Sequence, residues 1–202
     1  MVAEGVLGAL LRELELPSGL LSLLFAHARA VLQDADRLGL VTERTLDEIL
    51  ARHTADSLLF ALARRPAPGE LWIDAGSGAG FPGFVLACAF PESRFWLLEP
   101  QQRRAGFLDL QLLNLGLVNA EVRPSRLERI PIGAADVVVA RALEQPQKTF
   151  PLLTRVVKQG GVVLVAAGGD TPRLAGAETV EVGRRGVDSP GRLFMMTRTD
   201  DE

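Results

Sequence analysis

The sequence has little of what secreted or metal-binding proteins use for stability. Among its 202 residues there is one cysteine, Cys88, so no disulfide can form within the chain and a reducing compartment is expected. We assign Cys88 to the core. The two histidines, His27 and His53, do not belong to any group of His, Cys, Asp and Glu with metal-ligand spacing. We therefore predict no metal site and assign His27 no role.

Long apolar runs and lysines are also scarce. Glu4, Arg12 and Glu13 interrupt the early leucines, which excludes a signal peptide and a transmembrane helix. We expect a cytoplasmic protein without a membrane partner, and we expect it to be a monomer. Lysine occurs only at positions 148 and 158, so arginine supplies nearly all the cations. A net charge of −3 argues against a general polyanion-binding protein but allows a local basic face.

The first 66 residues have the apolar spacing of amphipathic helices. Thr45 and Glu48 have the spacing of a capping box at the start of the third helix, which we expect to run to about Arg64. The Pro-Ala-Pro-Gly stretch at 66–69 then marks a boundary. We predict an N-terminal helical extension, residues 1–66, and a main domain, residues 67–202.

The main domain alternates short apolar strands with helices, which is typical of an α/β protein with a mostly parallel sheet covered on both faces. The predicted strands are 70–74, 94–99, 120–123, 135–140, 161–166, 178–182 and 192–198, and the predicted helices are 80–89, 102–115 and 146–158. No helix separates the last two strands, so the final strand is expected to be antiparallel. Seven strands ending in this way are typical of the Rossmann-like fold of methyltransferases that use S-adenosylmethionine (AdoMet).

The first strand leads from Asp74 into a loop with glycines at 76, 78 and 80, where backbone can touch a ligand at a helix N-terminus. The second strand ends in Glu99, 23 residues beyond Gly76, the offset at which a carboxylate can bind ribose hydroxyls. Asp74 suits the cationic groups of AdoMet and would repel a pyrophosphate. Asp74, Gly76, Gly78 and Glu99 are thus predicted to bind AdoMet. The alternatives are NAD, in a nicotinamide oxidoreductase, and a glycine turn without a ligand.

Residues that follow the other strands are further candidates, because ligands bind at the carboxyl ends of the strands. Phe81 is expected either to pack over the cofactor or to pack at a helix start. Leu127 and Glu128 follow strand three, where they would hold an adenine ring or form a surface turn. Arg141 follows strand four and would clamp a carboxylate or phosphate, or form a structural ion pair.

His53 and Asp56 are three residues apart and are expected on one helical face, where they would orient a ring or form a structural hydrogen bond. After strand four the chain lacks the Asn/Asp-Pro-Pro run of adenine-N6 methyltransferases and the Pro-Cys of cytosine-C5 methyltransferases. A missing nucleophile or base suits an acceptor such as guanine N7, which needs only in-line positioning. Arg141, His53 and Asp56 are our candidate catalytic residues.

Three motifs resemble one known family: Arg-His-x-x-Asp-Ser-Leu at 52–58, Asp-x-Gly-x-Gly-x-Gly-Phe-Pro-Gly at 74–83 and Ala-Arg-Ala at 140–142. Together they resemble the RsmG (GidB) family of bacterial 16S rRNA guanine-N7 methyltransferases, over about residues 38–169. The resemblance implies AdoMet contacts at Gly76, Phe81, Glu99, Leu127, Glu128 and Arg141. It also implies a guanine in the small-subunit RNA as target. For an RNA substrate we expect Arg52, Arg103, Arg104 and Arg141 to gather on the cleft side.

The chain departs from the family on the substrate side. Gly39 and Val41 stand where the family has Asn and Thr, Gly168 stands in place of a Lys, and Leu193 in place of a His. These departures keep two alternatives open. One is a divergent methyltransferase acting on another RNA or a small molecule, and the other is a non-catalytic AdoMet-binding relic.

Overall fold

The computed structural model describes residues 2–141, 146–166, 174–182 and 191–199. Within these residues a seven-stranded sheet has the order β3-β2-β1-β4-β5-β7-β6. The strands are β1 (Leu71–Ala75), β2 (Arg94–Leu98), β3 (Ala120–Arg123), β4 (Ala135–Ala140), β5 (Val157–Ala166), β6 (Glu178–Val182) and β7 (Gly191–Thr197). The strands β1 to β5 pair in parallel, whereas β7 pairs antiparallel with β5 and β6. The predicted fold class, with its antiparallel last strand, is confirmed.

The helices of the described ranges are α1 (Val2–Glu13), α2 (Leu20–Leu38), α3 (Leu46–Ile49), α4 (Ala55–Ala63), α5 (Gly83–Ala89), α6 (Gln102–Asn114) and α7 (Pro146–Val156). Side chains alternate across a strand, so neighbours in β1 reach opposite faces. Trp72 packs in a core with α5 and α6, and Ile73 packs in a second core with α7. Both faces of the sheet are therefore covered, which explains why the central strands are almost wholly apolar.

The N-terminal helices belong to the first core and not to a separate one. Leu7 of α1, Leu24 of α2 and Leu58 of α4 are nearly inaccessible and share one apolar cluster with Trp72 and Phe84. The division at residues 66 and 67 remains a prediction about chain organisation. No described helix is both long enough and apolar enough to cross a membrane.

The third helical segment is interrupted, although the sequence predicted it to be continuous. The capping box is present, because the side chain of Thr45 accepts from the backbone N–H of Glu48 and the Glu48 side chain accepts from that of Thr45. Beyond α3, however, residues Leu50–Thr54 form a π-helical turn before α4 begins. Such turns are frequent at functional sites, and this one contains two of the predicted site residues, Arg52 and His53.

The starts of β5 and α5 differ most from the sequence expectation. β5 begins at Val157 rather than 161, because its first residues pair with β4 across an irregularity between Ala135 and Val137. α5 begins at Gly83 rather than 80, since residues 78–82 form turns. Gly39 ends α2 in the left-handed conformation, with φ of 59°, a conformation that both Gly and Asn adopt readily. Gly39 therefore replaces the Asn of the family without straining the backbone.

Candidate functional site

The loop after β1 is tied to the end of β2 by backbone hydrogen bonds. The N–H groups of Gly76 and Ser77 both donate to the carbonyl of Leu98, at 3.0 and 2.8 Å. The N–H of Gly78 donates to Oε2 of Glu99 at 3.0 Å. These bonds fix the loop at the point where the strand order reverses, between β1 and β4, which is where α/β sheets bind ligands.

Asp74 lies beneath this loop and holds it to α5. Its Oδ2 accepts from the N–H of Gly83 at 2.9 Å. A Cβ on residue 83 would lie 2.5 Å from Cβ of Asp74 and 2.7 Å from Oδ2, so only glycine fits here. Burial raises the pKa of Asp74 to about 6, although the Gly83 hydrogen bond opposes the shift. Oδ1 of Asp74 is buried without a hydrogen-bond partner in the structure.

His27, to which the sequence assigned no role, braces the same loop from α2. Its Nε2 lies 2.9 Å from the carbonyl oxygen of Ala79. Because a carbonyl only accepts, Nε2 carries the proton. The ring stacks on Phe84 with centroids 4.0 Å apart. Gly80, with φ of +96°, leaves room for this ring, since a Cβ there would lie 3.1 Å from Nε2. Burial lowers the pKa of His27 to about 4, so the imidazole is neutral.

A cavity of about 420 Å³ opens at the carboxyl ends of the first four strands. Glu99 forms part of its wall, where Oε1 accepts from the N–H of Gln101 at 2.8 Å. Six residues predicted as cofactor contacts line it together: Gly76, Gly78, Glu99, Leu127, Glu128 and Arg141. Ser125 and Arg126, which follow strand three together with Leu127, also line the cavity. Sequence reasoning missed Gln101 and Thr149. For Gln101 the available signal was its position at a helix start, and for Thr149 there was none.

Two predicted cofactor residues, Asp74 and Phe81, are not on the cavity wall. Asp74 is 1% exposed and lies under the loop. Phe81 is buried at the junction of three elements. Its ring centroid lies 5.2 Å from that of His53, with the planes at 22°, and 5.5 Å from the guanidinium carbon of Arg141. Phe81 therefore supports the residues at the cavity mouth, beside the loop.

Arg141 connects the cavity to the π-helical turn. Its Nη2 donates to Nδ1 of His53 at 2.5 Å, and Nη1 donates to the carbonyl of Arg52 at 3.3 Å. Nε2 of His53 lies 2.8 Å from Oε2 of Glu43, at ion-pair distance but outside hydrogen-bond alignment. Burial and the neighbouring Arg141 cation lower the pKa of His53. Burial also lowers the pKa of Arg141.

The i, i+3 spacing had suggested that His53 pairs with Asp56. In the structure, His53 instead contacts Glu43 and Arg141. The π-helical turn widens the helix between residues 50 and 54, so that α-helical spacing does not apply there. The carbonyl of His53 is instead bonded by the hydroxyl of Ser57 at 2.6 Å. Asp56 has an interaction of its own, and one of its oxygens is buried.

The four arginines expected on the cleft side do not all gather there. Arg141 and Arg104 line the cavity, and Arg52 is adjacent to Arg141. Arg104 also donates to the carbonyls of Leu38 and Gly39, at 3.2 and 2.6 Å. Arg103 lines a separate groove between α2 and α6.

Leu193 and Cys88 lie away from the cavity. Leu193 is buried in β7, where it pairs with Ala166, and Gly168 lies outside the described residues. In the described parts of the chain, no three His, Cys, Asp or Glu residues are grouped to hold a metal ion. Cys88 is buried in α5, and burial raises the pKa of its thiol to about 12.

Two solved structures that share this architecture are methyltransferases. A SAM-dependent O-methyltransferase from Thermotoga maritima has a TM-score of 0.58 and 16% identity, with 76% of this chain and 70% of that one covered. A SAM-dependent methyltransferase from Aquifex aeolicus has a TM-score of 0.56 and 19% identity, with 74% and 93% covered. At such identities the likeness shows the fold alone, and that fold is the one of the AdoMet-dependent methyltransferases.

The family model for GidB, rRNA small subunit methyltransferase G, matches residues 21–174, and the chain belongs to this family. A ribosomal RNA small subunit methyltransferase G from Solibacter usitatus is 37% identical over 141 residues, which cover 69% of this chain and 66% of the relative. One from Leifsonia xyli is 31% identical over 173 residues, covering 79% and 81%. The chain thus spans just under two thirds of the first relative's length, and the family suggested by the three motifs is confirmed.

Proposed function

We propose that this chain is an AdoMet-dependent methyltransferase whose cofactor binds in the cavity at the ends of β1 to β4. The observation that carries the proposal is the convergence of the glycine loop, Glu99 and Arg141 on one cavity. The buried, partnerless Oδ1 of Asp74 beneath the loop adds negative potential, which favours a cationic ligand. When bound, the cofactor would supply an electrophilic methyl group on its sulfonium.

The chemistry of the donors fits the parts of this cofactor. The carboxylate of Glu99, which follows β2, is suited to ribose hydroxyls, and Leu127 offers an apolar surface for an adenine ring. The guanidinium of Arg141 suits the methionine carboxylate by a charge-assisted hydrogen bond. Asp74 and Gly83 keep the loop in shape rather than touching the cofactor.

The acceptor we propose is N7 of a guanine in the 16S rRNA of the small ribosomal subunit. Two relatives are named ribosomal RNA small subunit methyltransferase G, which supports this assignment. Guanine N7 carries an in-plane lone pair, so the chain needs to position the base without removing a proton. We assign this positioning to Arg141, which lines the cavity, to His53, which contacts Arg141, and to Asp56 in α4. Arg52, whose side chain is 72% exposed, is available for an RNA phosphate. We also propose that the protein is a cytoplasmic monomer.

One observation favours a second candidate, a methyltransferase for another RNA or a small molecule. Arg103 lies in a different groove, and Arg104 is partly occupied by the carbonyls that end α2. Fewer of the four arginines that we expected to meet an RNA substrate are thus free near the cavity.

The test is mass-spectrometric mapping of 7-methylguanine in 16S rRNA from strains with and without the gene. We expect one modified guanine to lose its methyl group in the deletion strain. A plasmid with the wild-type gene or an Arg123→Ala control should restore it, since Arg123 lies at the sheet edge, whereas Arg141→Ala should not. An unchanged map would reject 16S rRNA. AdoMet binding by calorimetry in that case would favour the second candidate.

A further inference from the structure

Glu43 was not singled out by the sequence, yet its carboxylate faces the groups that hold Arg141. It lies in the segment between α2 and α3, with a side chain only 10% exposed. Oε2 is 2.8 Å from Nε2 of His53, and Oε1 is 3.7 Å from Nη1 of Arg52. An acidic side chain nearly removed from solvent requires such partners.

The hydrogen bond from Arg141 fixes which nitrogen of His53 is protonated. A guanidinium has donors only, so Nδ1 of His53 must accept from Nη2 of Arg141. The proton of the neutral ring therefore lies on Nε2, which faces Glu43. A carboxylate in that position stabilises the Nε2–H tautomer, since it attracts the polar N–H and would repel a lone pair.

Arg141 is held at the cavity by this arrangement. Its second terminal nitrogen donates to the carbonyl of Arg52 in the π-helical turn, and Phe81 packs beside its guanidinium carbon. If His53 were in the other tautomer, Nδ1–H would oppose the N–H of Arg141 and push the guanidinium away. The orientation of Arg141 thus depends on a group that it does not contact.

We propose that Glu43 is a positioning residue, which holds His53 in the Nε2–H tautomer and through it orients Arg141 in the cavity. The effect of Glu43 on catalysis rests on the proposed function, whereas its effect on the tautomer of His53 does not. The charged groups around the pair are Arg52 and Arg141, with Asp74 acting on Arg141 from behind the loop. The close polar contact with His53 is the main cause that lowers the pKa of Glu43 to about 2, and burial lowers the pKa of His53, so the pair is a carboxylate and a neutral ring near neutral pH.

The first measurement is the tautomer, by nitrogen-15 NMR of the imidazole in the protein without cofactor or RNA. In the wild type we expect a protonated Nε2 and an unprotonated Nδ1. Glu43→Ala should shift His53 toward a mixture of tautomers. Glu43→Gln should keep the Nε2–H form, because its amide oxygen still attracts the polar N–H, while the pKa of His53 falls further without the carboxylate. Glu121→Ala, which removes an exposed carboxylate at the sheet edge, is the matched control.

The second measurement is steady-state methylation of small ribosomal subunits. We expect kcat/KM to fall about 10- to 100-fold in Glu43→Ala, as a misplaced Arg141 would cause. Glu43→Gln should recover most of the loss, and Glu121→Ala should show none. The inference is overturned if His53 of the wild type carries its proton on Nδ1, or if Glu43→Ala leaves the tautomer and kcat/KM unchanged. A wild type that shows the expected tautomer but binds no AdoMet would reject the proposed function alone.

Discussion

Two ionisable side chains without full hydrogen bonding are buried around the loop after β1. Nδ1 of His27 and Oδ1 of Asp74 have no hydrogen-bond partner in the structure, although both groups are almost inaccessible. Burial opposes the charged form of each, lowering the pKa of His27 to about 4 and raising that of Asp74 to about 6. Their contributions to stability consequently depend on pH in opposite directions.

His27 should make the protein less stable as the pH falls. Its pKa is about 4 in the folded chain, below the usual 6.5, so the unfolded chain binds the proton more tightly. The stabilisation by neutral His27 is complete above the pKa of the unfolded chain, and it is lost as the pH falls toward the pKa of the folded chain. Between about pH 7.5 and pH 5 the loss is about 2 kcal/mol. Urea unfolding of the wild type and of His27→Phe gives their free energies of unfolding at both pH values. The difference between the two proteins should change by this amount between the two pH values.

Comparison with the variant removes the contribution of Asp74, which is common to both proteins. Because its folded pKa is raised, that carboxyl adds stability as the pH falls through 6, and would mask His27 in the wild type alone. An equal pH dependence of the two proteins would contradict the shift assigned to His27.

Gly83 should tolerate no side chain, because the methyl group of alanine would overlap Asp74. We expect Gly83→Ala to lower the free energy of unfolding by about 1–3 kcal/mol and to weaken AdoMet binding measured by calorimetry. Gly106→Ala is the control: a Cβ at this α6 position meets no atom within 4 Å, and alanine favours the helix. Equal stabilities of the two variants would mean that the loop can move away from Asp74.

The sequence could predict which residues share one cavity where they follow a strand. Gly76, Glu99, Leu127 and Arg141 line that cavity because the carboxyl ends of parallel strands meet at one edge. His27 and Glu43 could not be found in this way. Their partners are Ala79, 52 residues away, and a ring in a π-helical turn, so no local spacing indicates them.

Among the secondary-structure elements, strands and their order were predictable and helix irregularities were not. The bounds of β3, β4 and β6 coincide with the predicted ones, since apolar runs bounded by turn residues define them. Local periodicity gives no sign of the π-helical turn at Leu50–Thr54, whose contacts with α1 and α2 are not local in sequence. Its position matters because it directs the carbonyl of Arg52 to Arg141.

The start of α3 depends on its capping box. Thr45→Ala removes the side-chain acceptor of the Glu48 N–H and should cost about 1 kcal/mol of stability. Thr45→Ser keeps an acceptor at the same place and should cost much less. The midpoints of urea unfolding, monitored by circular dichroism, compare the two variants with the wild type. An equal loss in both would indicate that the methyl group of Thr45, and not its hydroxyl, stabilises the helix.

At the scale of the whole molecule, the N-terminal helices and the sheet should unfold together, because one apolar core joins them. Leu7→Ala in α1 leaves a cavity and should cost about 2–5 kcal/mol. The urea midpoint measured by fluorescence of Trp72 and Trp96, both in the sheet, should then shift as far as the midpoint measured by helical circular dichroism. Leu113→Ala, at a residue that is 78% exposed, should shift neither. Separate midpoints for the two signals in Leu7→Ala would mean that the first 66 residues fold independently of the sheet.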